Sequence, residues 1–338
     1  MERPLTLHHV TLRERFSQLL TERADLDTNS RKEIPPSIDF KTCKLADLVD
    51  DAYIDLTVNE PRRILQEMDK ETIDMFWYQE GPEGPKKITI EELWHVLKPN
   101  SSFPPATSEY FAEYSGTPEM YSSPDHIRSI HGEPHQGGRV PANAYALGKY
   151  KNLNPSDMKV LLISANVHDM GRQSDKDDKD HGLRSAMNVD EGKNYLQVYR
   201  QKGITFTPEE IRLIKILCLY HEKPWEVVPA EYREDKHIAT LIQTFHAADA
   251  GDRFRSPHKR WWPKKEYFMN FFDGDEKKVD AYLAFTKYFT LSSEKERLDE
   301  GLSVAEVMQR KMKELGIIKE PQSKTISFPS FPRRRLAA

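Results

Sequence analysis

Histidines and carboxylates are concentrated in a few short segments of the middle of the chain. The segments are SIHGEPHQGGRV (129–140), SANVHDMGR (164–172), DHGLRSA (180–186), CLYHE (218–222) and FHAADAGDR (245–253). Neutral imidazole together with carboxylate suits a divalent metal such as Zn, Mn or Fe, and carboxylate also suits Mg. Such an ion polarises a phosphoryl oxygen and lowers the pKa of a water molecule toward neutrality. These residue types in this order therefore favour phosphoryl chemistry over a purely structural role.

Histidines can also perform this chemistry without a metal. An imidazole with a shifted pKa serves as nucleophile or general acid near neutral pH, and a carboxylate on its far nitrogen fixes the tautomer. His131 and His135 are four residues apart, so a helical turn would point both into one pocket. His246, Asp249 and Arg253 share a helix face in the same way. Arg253 can pair with Asp249 or hold a phosphate.

The elements that must position these segments read as helices. An apolar helix begins near Ser156 and ends at the His168-Asp169 dipeptide, which places two polar groups where the core opens. Another helix is predicted from Thr207, where Thr-Pro-Glu-Glu supplies a capping box with proline in the first turn. A third runs from about Lys236 into the last segment. Strand-like alternation is scarce, so the predicted fold class is all-α.

Composition along the chain predicts one main domain with additions at both ends. The Pro- and Ser-rich stretch 98–110 interrupts the helical pattern. We therefore expect a smaller N-terminal helical region of unknown role (1–100), a main domain (111–320) and a flexible tail (321–338). The N-terminal region contains an amphipathic helix, Thr89–Leu97, with a capping box at its start.

The overall composition narrows the class of partner and compartment. A formal net charge of −4 provides no overall attraction to nucleic acid or to an anionic membrane. The two cysteines, Cys43 and Cys218, make no disulfide framework, which favours a reducing, cytoplasmic compartment. No apolar run approaches the length of a membrane span, and the first residues lack the apolar segment of a secretory signal. A secretion signal in the Pro- and Arg-rich end is the alternative to a solvated tail, and we expect a monomer.

The ordered set resembles the HD phosphohydrolase superfamily. The family pattern is a His in an HxxRV-like turn, a His-Asp pair, a following His-Gly and a late Asp near Arg. Here these positions are held by His135 with Arg139 and Val140, His168 with Asp169, His181, and Asp249, and His221 matches the extra His of some members. The turn after His135 contains one glycine more than the usual spacing. In the metal-dependent form, the resemblance implies an ion (Mn, Zn, Fe or Mg) held by His135, His168, Asp169 and Asp249.

A closer similarity is to the phosphodiesterase domain of SidE-family bacterial effectors, a helical relative of HD enzymes. It covers about residues 110–290 and is carried by His131-Gly-x-x-His135, Glu191 and a histidine of the last helix. That domain cleaves the phosphodiester of ADP-ribosylated ubiquitin or removes phosphoribosyl-linked ubiquitin from serines. The resemblance implies that His131 is the nucleophile, that Glu191 orients it, and that His246, or alternatively His258, protonates the leaving group. No metal is needed in this scheme, and the expected substrate-binding residues are His135, Arg139, Arg172 and Arg253.

The expected function is therefore a phosphodiesterase that acts on modified ubiquitin through a histidine nucleophile, with a role as an effector secreted into a host cell. The alternatives are a metal-dependent HD phosphohydrolase acting on nucleotides and an inactive binding module. A substrate as large as ubiquitin needs a docking surface, and the aromatic and basic segment 258–265, HKRWWPKK, could supply one.

Overall fold

The computed structural model describes residues 69–99, 106–173, 178, 180–256 and 258–319. The helices are α1 (Lys70–Gln79), α2 (Ile90–Leu97), α3 (Ser108–Tyr114), α4 (Pro124–Ile127), α5 (Val140–Tyr150), α6 (Pro155–Val167), α7 (His181–Met187), α8 (Tyr195–Gln201), α9 (Pro208–Tyr220), α10 (Ala230–Glu234), α11 (Lys236–Gly251), α12 (Glu266–Met269), α13 (Glu276–Glu300) and α14 (Val304–Glu314). Short 3₁₀ turns lie at Pro118–Met120, Trp225–Val227, Asp252–Arg255 and Lys259–Trp261, and a π-helical turn at His135–Arg139. Across these ranges the regular structure is helical, apart from one parallel bridge between Ala106 and Ile318. The all-α prediction is confirmed.

Two helix starts follow directly from the capping residues. Thr89 accepts a hydrogen bond from the backbone N–H of Glu92, and the Glu92 side chain accepts one from the backbone N–H of Thr89. Thr207 and Glu210 form the same reciprocal pair at the start of α9. Each pair satisfies backbone donors that the first helical turn leaves without partners. Both predicted capping boxes are confirmed.

The core is arranged around α6. Val160, Leu161, Leu162 and Ile163 are all fully buried, because α5, α9 and α11 pack around this helix on different sides. The long helix α13 crosses the other side of the body and packs against α1, α2, α14 and the Asp252–Arg255 turn. The helix ends that carry the candidate site residues are therefore held by the main core.

The extra glycine after His135 is accommodated by a π-helical turn. The backbone N–H of Val140 donates to the carbonyl of His135, five residues earlier, so the turn contains one residue more than an α-helical turn. A Cβ added to Gly138 would lie 2.5 Å from Cγ of Met308, whereas one on Gly137 would meet only Glu133 Cγ at 3.5 Å. Gly138 therefore permits the close packing of this turn on α14.

The described part of the predicted N-terminal region, residues 69–99, contacts the main helical body. Ile90, Leu93 and Leu97 of α2 are buried in the same core as α5 and α6, and the backbone N–H of Ile90 donates to the carbonyl of Leu315. Helix α1 packs against α13 through Ile73 and Phe76. Residues 69–99 thus pack on the main helical body, because their apolar faces are covered by α13 and α5.

Some sequence expectations lie outside the described residues. These include the structure of residues 1–68 with Cys43, residues 100–105 of the linker, most of the charged run 174–180, and the tail 321–338. Cys218 is buried in the core. Among the helices described, none has the length and apolar character needed to cross a membrane.

Candidate metal centre

The candidate site lies where several helices begin or end. His168 and Asp169 follow the last residue of α6, His221 follows α9, and His181 is the first residue of α7. Asp249 lies in the last turn of α11. The carbonyl ends of helices carry partial negative charge, which favours a cation. The fold therefore brings polar groups to an opening in an otherwise apolar body.

The first ligand group consists of His135 Nε2, His168 Nε2, Asp169 Oδ2 and Asp249 Oδ1. His135 Nε2 lies 3.3 Å from both His168 Nε2 and Asp249 Oδ1, and 3.6 Å from Asp169 Oδ2. His168 Nε2 lies 3.7 Å from each of the two carboxylate oxygens. Ligand atoms around a four-coordinate ion with bonds of about 2.0–2.2 Å are separated by about 3.3–3.6 Å. The separations that involve His135 and His168 are close to this range, and His135, His168 and Asp249 form a group that could hold a divalent ion.

The far ring nitrogens of these two histidines are already used. His135 Nδ1 donates to Asp252 Oδ2 at 2.7 Å, and His168 Nδ1 donates to the carbonyl of Ala165 at 3.1 Å. In the neutral rings the Nε2 atoms are consequently lone-pair acceptors, and they face each other and two carboxylates. Four acceptors facing one point require a positive charge between them. A partner on the far nitrogen is also the usual support of a metal-binding histidine.

The pKa values of His135 and Asp249 are shifted by the charged groups around them. Burial and Arg255 lower the pKa of His135, but hydrogen bonds with Asp169, Asp249 and Asp252 raise it to about 9. Burial raises the pKa of Asp249, yet hydrogen bonds from His135 and His168 hold it well below its ordinary value. Without a bound cation, a proton on His135 would supply the missing positive charge.

The second ligand group consists of His181 Nε2, His221 Nε2 and Asp169 Oδ1. The two nitrogens are 2.9 Å apart and lie 3.0 and 3.2 Å from the oxygen, which receives no hydrogen bond from the described residues. Glu222 Oε2 lies 3.5 Å from His181 Nε2. Arg172 already brings a cation here, because one terminal nitrogen (NH2) of its guanidinium is 3.0 Å from His181 Nε2 and its Nε is 3.5 Å from Asp169 Oδ1.

His131 lies at the mouth of the site. Its side chain is 15% exposed, and its Nδ1 lies 2.8 Å from Asp169 Oδ2. Burial and the nearby Arg172 hold the pKa of His131 well below its ordinary value. Asp169 thus lies next to His131, in the position that the resemblance to the SidE-family domain implies for Glu191. Glu191 itself lies beside Asp190, with Oε1 3.5 Å from Nζ of Lys215.

Two of the expected substrate-binding residues, Arg139 and His135, are buried in the structure. Arg139 is 2% exposed, because its guanidinium donates to Asp252 and to Glu294 in the core. His135 is fully buried, and both its ring nitrogens face carboxylates. Both residues support the site from within, whereas Arg172 and Arg253 are partly exposed.

The histidines expected to protonate the leaving group occupy different environments. His246 Nε2 donates to the carbonyl of Tyr220 at 2.6 Å, and burial lowers the pKa of His246 to about 4. A proton-donor role would require this ring to give up the Tyr220 contact. His258 is exposed and packs edge-on against Trp261, with ring centroids 4.9 Å apart.

Three residues that sequence reasoning missed also belong to the site. Asp252 receives hydrogen bonds from His135, Arg139 and Thr290. Arg255 is 5% exposed and contacts His131 and the carbonyl of Ile130. The available signal was the spacing of Asp249, Asp252 and Arg255, each three residues after the last. His126 is fully buried and shares a hydrogen bond with Ser122 through Nδ1; no signal in the sequence marks it.

Comparison of the chain with protein-family models, with curated proteins and with solved structures gave no match.

Proposed function

We propose that the protein is a metal-dependent phosphohydrolase of the HD type, with one divalent ion held by the first ligand group. The observation that supports this proposal is that His135 Nε2 and His168 Nε2 lie 3.3 Å apart, and that each lies 3.3–3.7 Å from Asp169 Oδ2 and from Asp249 Oδ1. A bound divalent ion would supply Lewis-acid activation of a phosphoryl group and would lower the pKa of a water molecule. This differs from the histidine mechanism that the sequence favours.

The surrounding residues would position both the ligands and the substrate. Asp252 and the Ala165 carbonyl orient His135 and His168. Arg172 contacts His181 and is partly exposed, and Arg253, which follows Asp252 in the chain, is also partly exposed. Guanidinium groups bind phosphate oxygens in a bidentate manner. The substrate would enter past His131 and Asp249, whose side chains are 15% and 12% exposed. The proposed substrate class is a phosphate ester or anhydride, because a bound divalent ion would activate a phosphoryl group.

A second candidate is the histidine-dependent phosphodiesterase that acts on modified ubiquitin. It is favoured by the 2.8 Å contact between His131 Nδ1 and Asp169 Oδ2, because a nucleophilic imidazole needs a group that orients its far nitrogen. The exposed Trp261, stacked by Arg260 at 5.0 Å, would offer an anchor for a protein substrate.

The proposal is tested with a panel of substrates and one pair of variants. The panel contains nucleoside mono- and triphosphates, a phosphodiester and phosphoribosyl-linked ubiquitin, each assayed with Mn²⁺ present. Asp249→Asn should lower turnover of the preferred substrate by about 100-fold or more, since metal-site support is lost. His237→Ala is the matched control, because His237 bonds Asp157 away from both ligand groups. Full activity of Asp249→Asn would refute the proposal.

A further inference from the structure

The aromatic and basic segment 258–265 is fixed to the body of the protein by one of its two tryptophans. It follows closely the Asp252–Arg255 turn, and Nε1 of Trp262 donates to the carbonyl of Ser256 at 3.0 Å. Trp262 also packs edge-on against Phe76 of α1, with ring centroids 4.8 Å apart. These contacts hold the segment at the end of the turn and leave its other side chains at the surface.

The second tryptophan of the segment, Trp261, is an exposed aromatic ring. It is 39% exposed, although nearly all large apolar side chains of the described residues are at least partly buried. The guanidinium carbon of Arg260 lies 5.0 Å from the centre of the Trp261 ring, and the His258 ring meets it edge-on. The cation–π contact and the edge-on contact restrict the ring without covering it. Trp261 can therefore stack with a flat ring of a ligand.

The same segment carries positive charge that its surroundings do not neutralise. Lys265 is paired with Asp280, whereas Lys259, Arg260 and Lys264 are exposed and make no ion pair with a described residue. The formal net charge of the whole chain is −4, so the attraction of an anionic ligand is confined to this surface. An exposed aromatic ring and three unneutralised cations thus lie within eight residues.

We propose that segment 258–265 is a binding surface for single-stranded nucleic acid. Trp261 stacks with a base, and Arg260 and Lys264 contact phosphates on either side of it. Unpaired bases and a phosphate backbone together use both features of the surface. A duplex keeps its bases stacked on one another, and the carboxylates of an acidic peptide use the cations alone. Binding here needs no metal, so the inference does not rest on the proposed metal-dependent activity.

Binding to the full chain is measured by fluorescence anisotropy at low salt. The labelled probes are oligothymidine, oligouridine, a DNA duplex of the same length and polyglutamate of the same charge. EDTA is present throughout, so that metal-dependent cleavage does not affect the result. We expect both single-stranded probes to bind more tightly than the duplex and polyglutamate. Tighter binding of the duplex would show attraction to phosphate charge alone, and equal binding of polyglutamate would indicate an acidic protein partner. Either result, or no binding of the single strands, would overturn the inference.

Variants separate stacking from charge. Trp261→Ala should weaken binding of oligothymidine by about 5- to 100-fold, because a base loses its stacking partner, and Trp261→Phe should retain most of the affinity. Lys264→Ala should make the slope of log affinity against log salt shallower by about 0.7. Lys236→Ala, which changes an exposed lysine at the start of α11, is the matched control and should leave the slope unchanged. Circular dichroism establishes that each variant is folded. Unchanged affinity of folded Trp261→Ala would contradict the inference.

Discussion

At the scale of single residues, the site is organised by what each histidine does with its far nitrogen. His135, His168 and His221 donate from Nδ1 to an acceptor of the protein, and each directs Nε2 inward. This arrangement leaves acceptors without donors at the centre of the site. The charge of a cation is therefore needed there, and Arg172 provides it at the second ligand group.

The position of Arg172 predicts how many ions bind. Because its guanidinium lies next to both His181 and Asp169 and already supplies a positive charge there, we expect one divalent ion per chain. Arg172→Ala should remove the competing cation and raise the stoichiometry to two, as measured by elemental analysis after dialysis against Mn²⁺. Arg200→Ala, which changes an arginine exposed on α8, is the control. Two ions in the unchanged protein, or one in Arg172→Ala, would contradict this account.

Most ligands of the first group could be proposed from the sequence, because His168-Asp169 ends an apolar helix and Asp249 ends another. The partner of His131 could not. Glu191 was chosen from its distance along the chain, whereas Asp169 reaches His131 because the end of α6 meets the turn before α5. The burial of Arg139 depends on Glu294 of α13, 155 residues away, and no local pattern indicates such a contact.

At the scale of elements, the π-helical turn links the site to α14. Gly138→Ala should lower the free energy of unfolding by about 1–3 kcal/mol, because its Cβ would overlap Met308 in a packed interface. Gly137→Ala is the matched control in the same turn and should have a much smaller effect. The comparison is made by urea denaturation. Equal destabilisation by both variants would show that the contact with Met308 is not the cause.

We expect the stability of the protein to depend on pH through Glu314, the last residue of α14. Burial raises the pKa of Glu314, but hydrogen bonds from Lys311, Lys87 and Tyr288 lower it to about 2. A depressed folded-state pKa contributes stability above the unfolded value near 4.5, and this is lost as pH falls toward 2. Glu314→Gln should therefore lower the unfolding temperature more at pH 7 than at pH 3. An equal decrease at both pH values would contradict the assignment.

Helix starts were predictable because capping boxes are local, as at Thr89 and Thr207. The only sequence feature that indicated the π-helical turn was one glycine more than the HD pattern, which the sequence resembles, has after its first histidine. Its backbone geometry depends on the packing of Gly138 against α14, which lies about 170 residues further along the chain.

At the scale of the whole molecule, residues 69–99 pack with the main body. Removal of residues 1–68 keeps every contact described above, whereas removal of residues 1–99 also exposes the apolar partners of Ile90, Leu93 and Leu97. Burial of such side chains contributes about 1.5–3 kcal/mol each. The longer deletion should therefore unfold at a distinctly lower temperature than the shorter one in calorimetry. Equal unfolding temperatures would instead support the predicted domain boundary near residue 100.

The proposed phosphohydrolase activity depends on one divalent ion in the first ligand group. The most direct measurement is turnover of the preferred substrate before chelation, after exhaustive chelation, and after Mn²⁺ or Zn²⁺ is returned, with the ion counted at each stage. The account predicts that turnover disappears with the ion and returns as one ion per chain is restored. Full turnover by the chelated protein, together with a phosphorylated His131 trapped during the reaction, would contradict it.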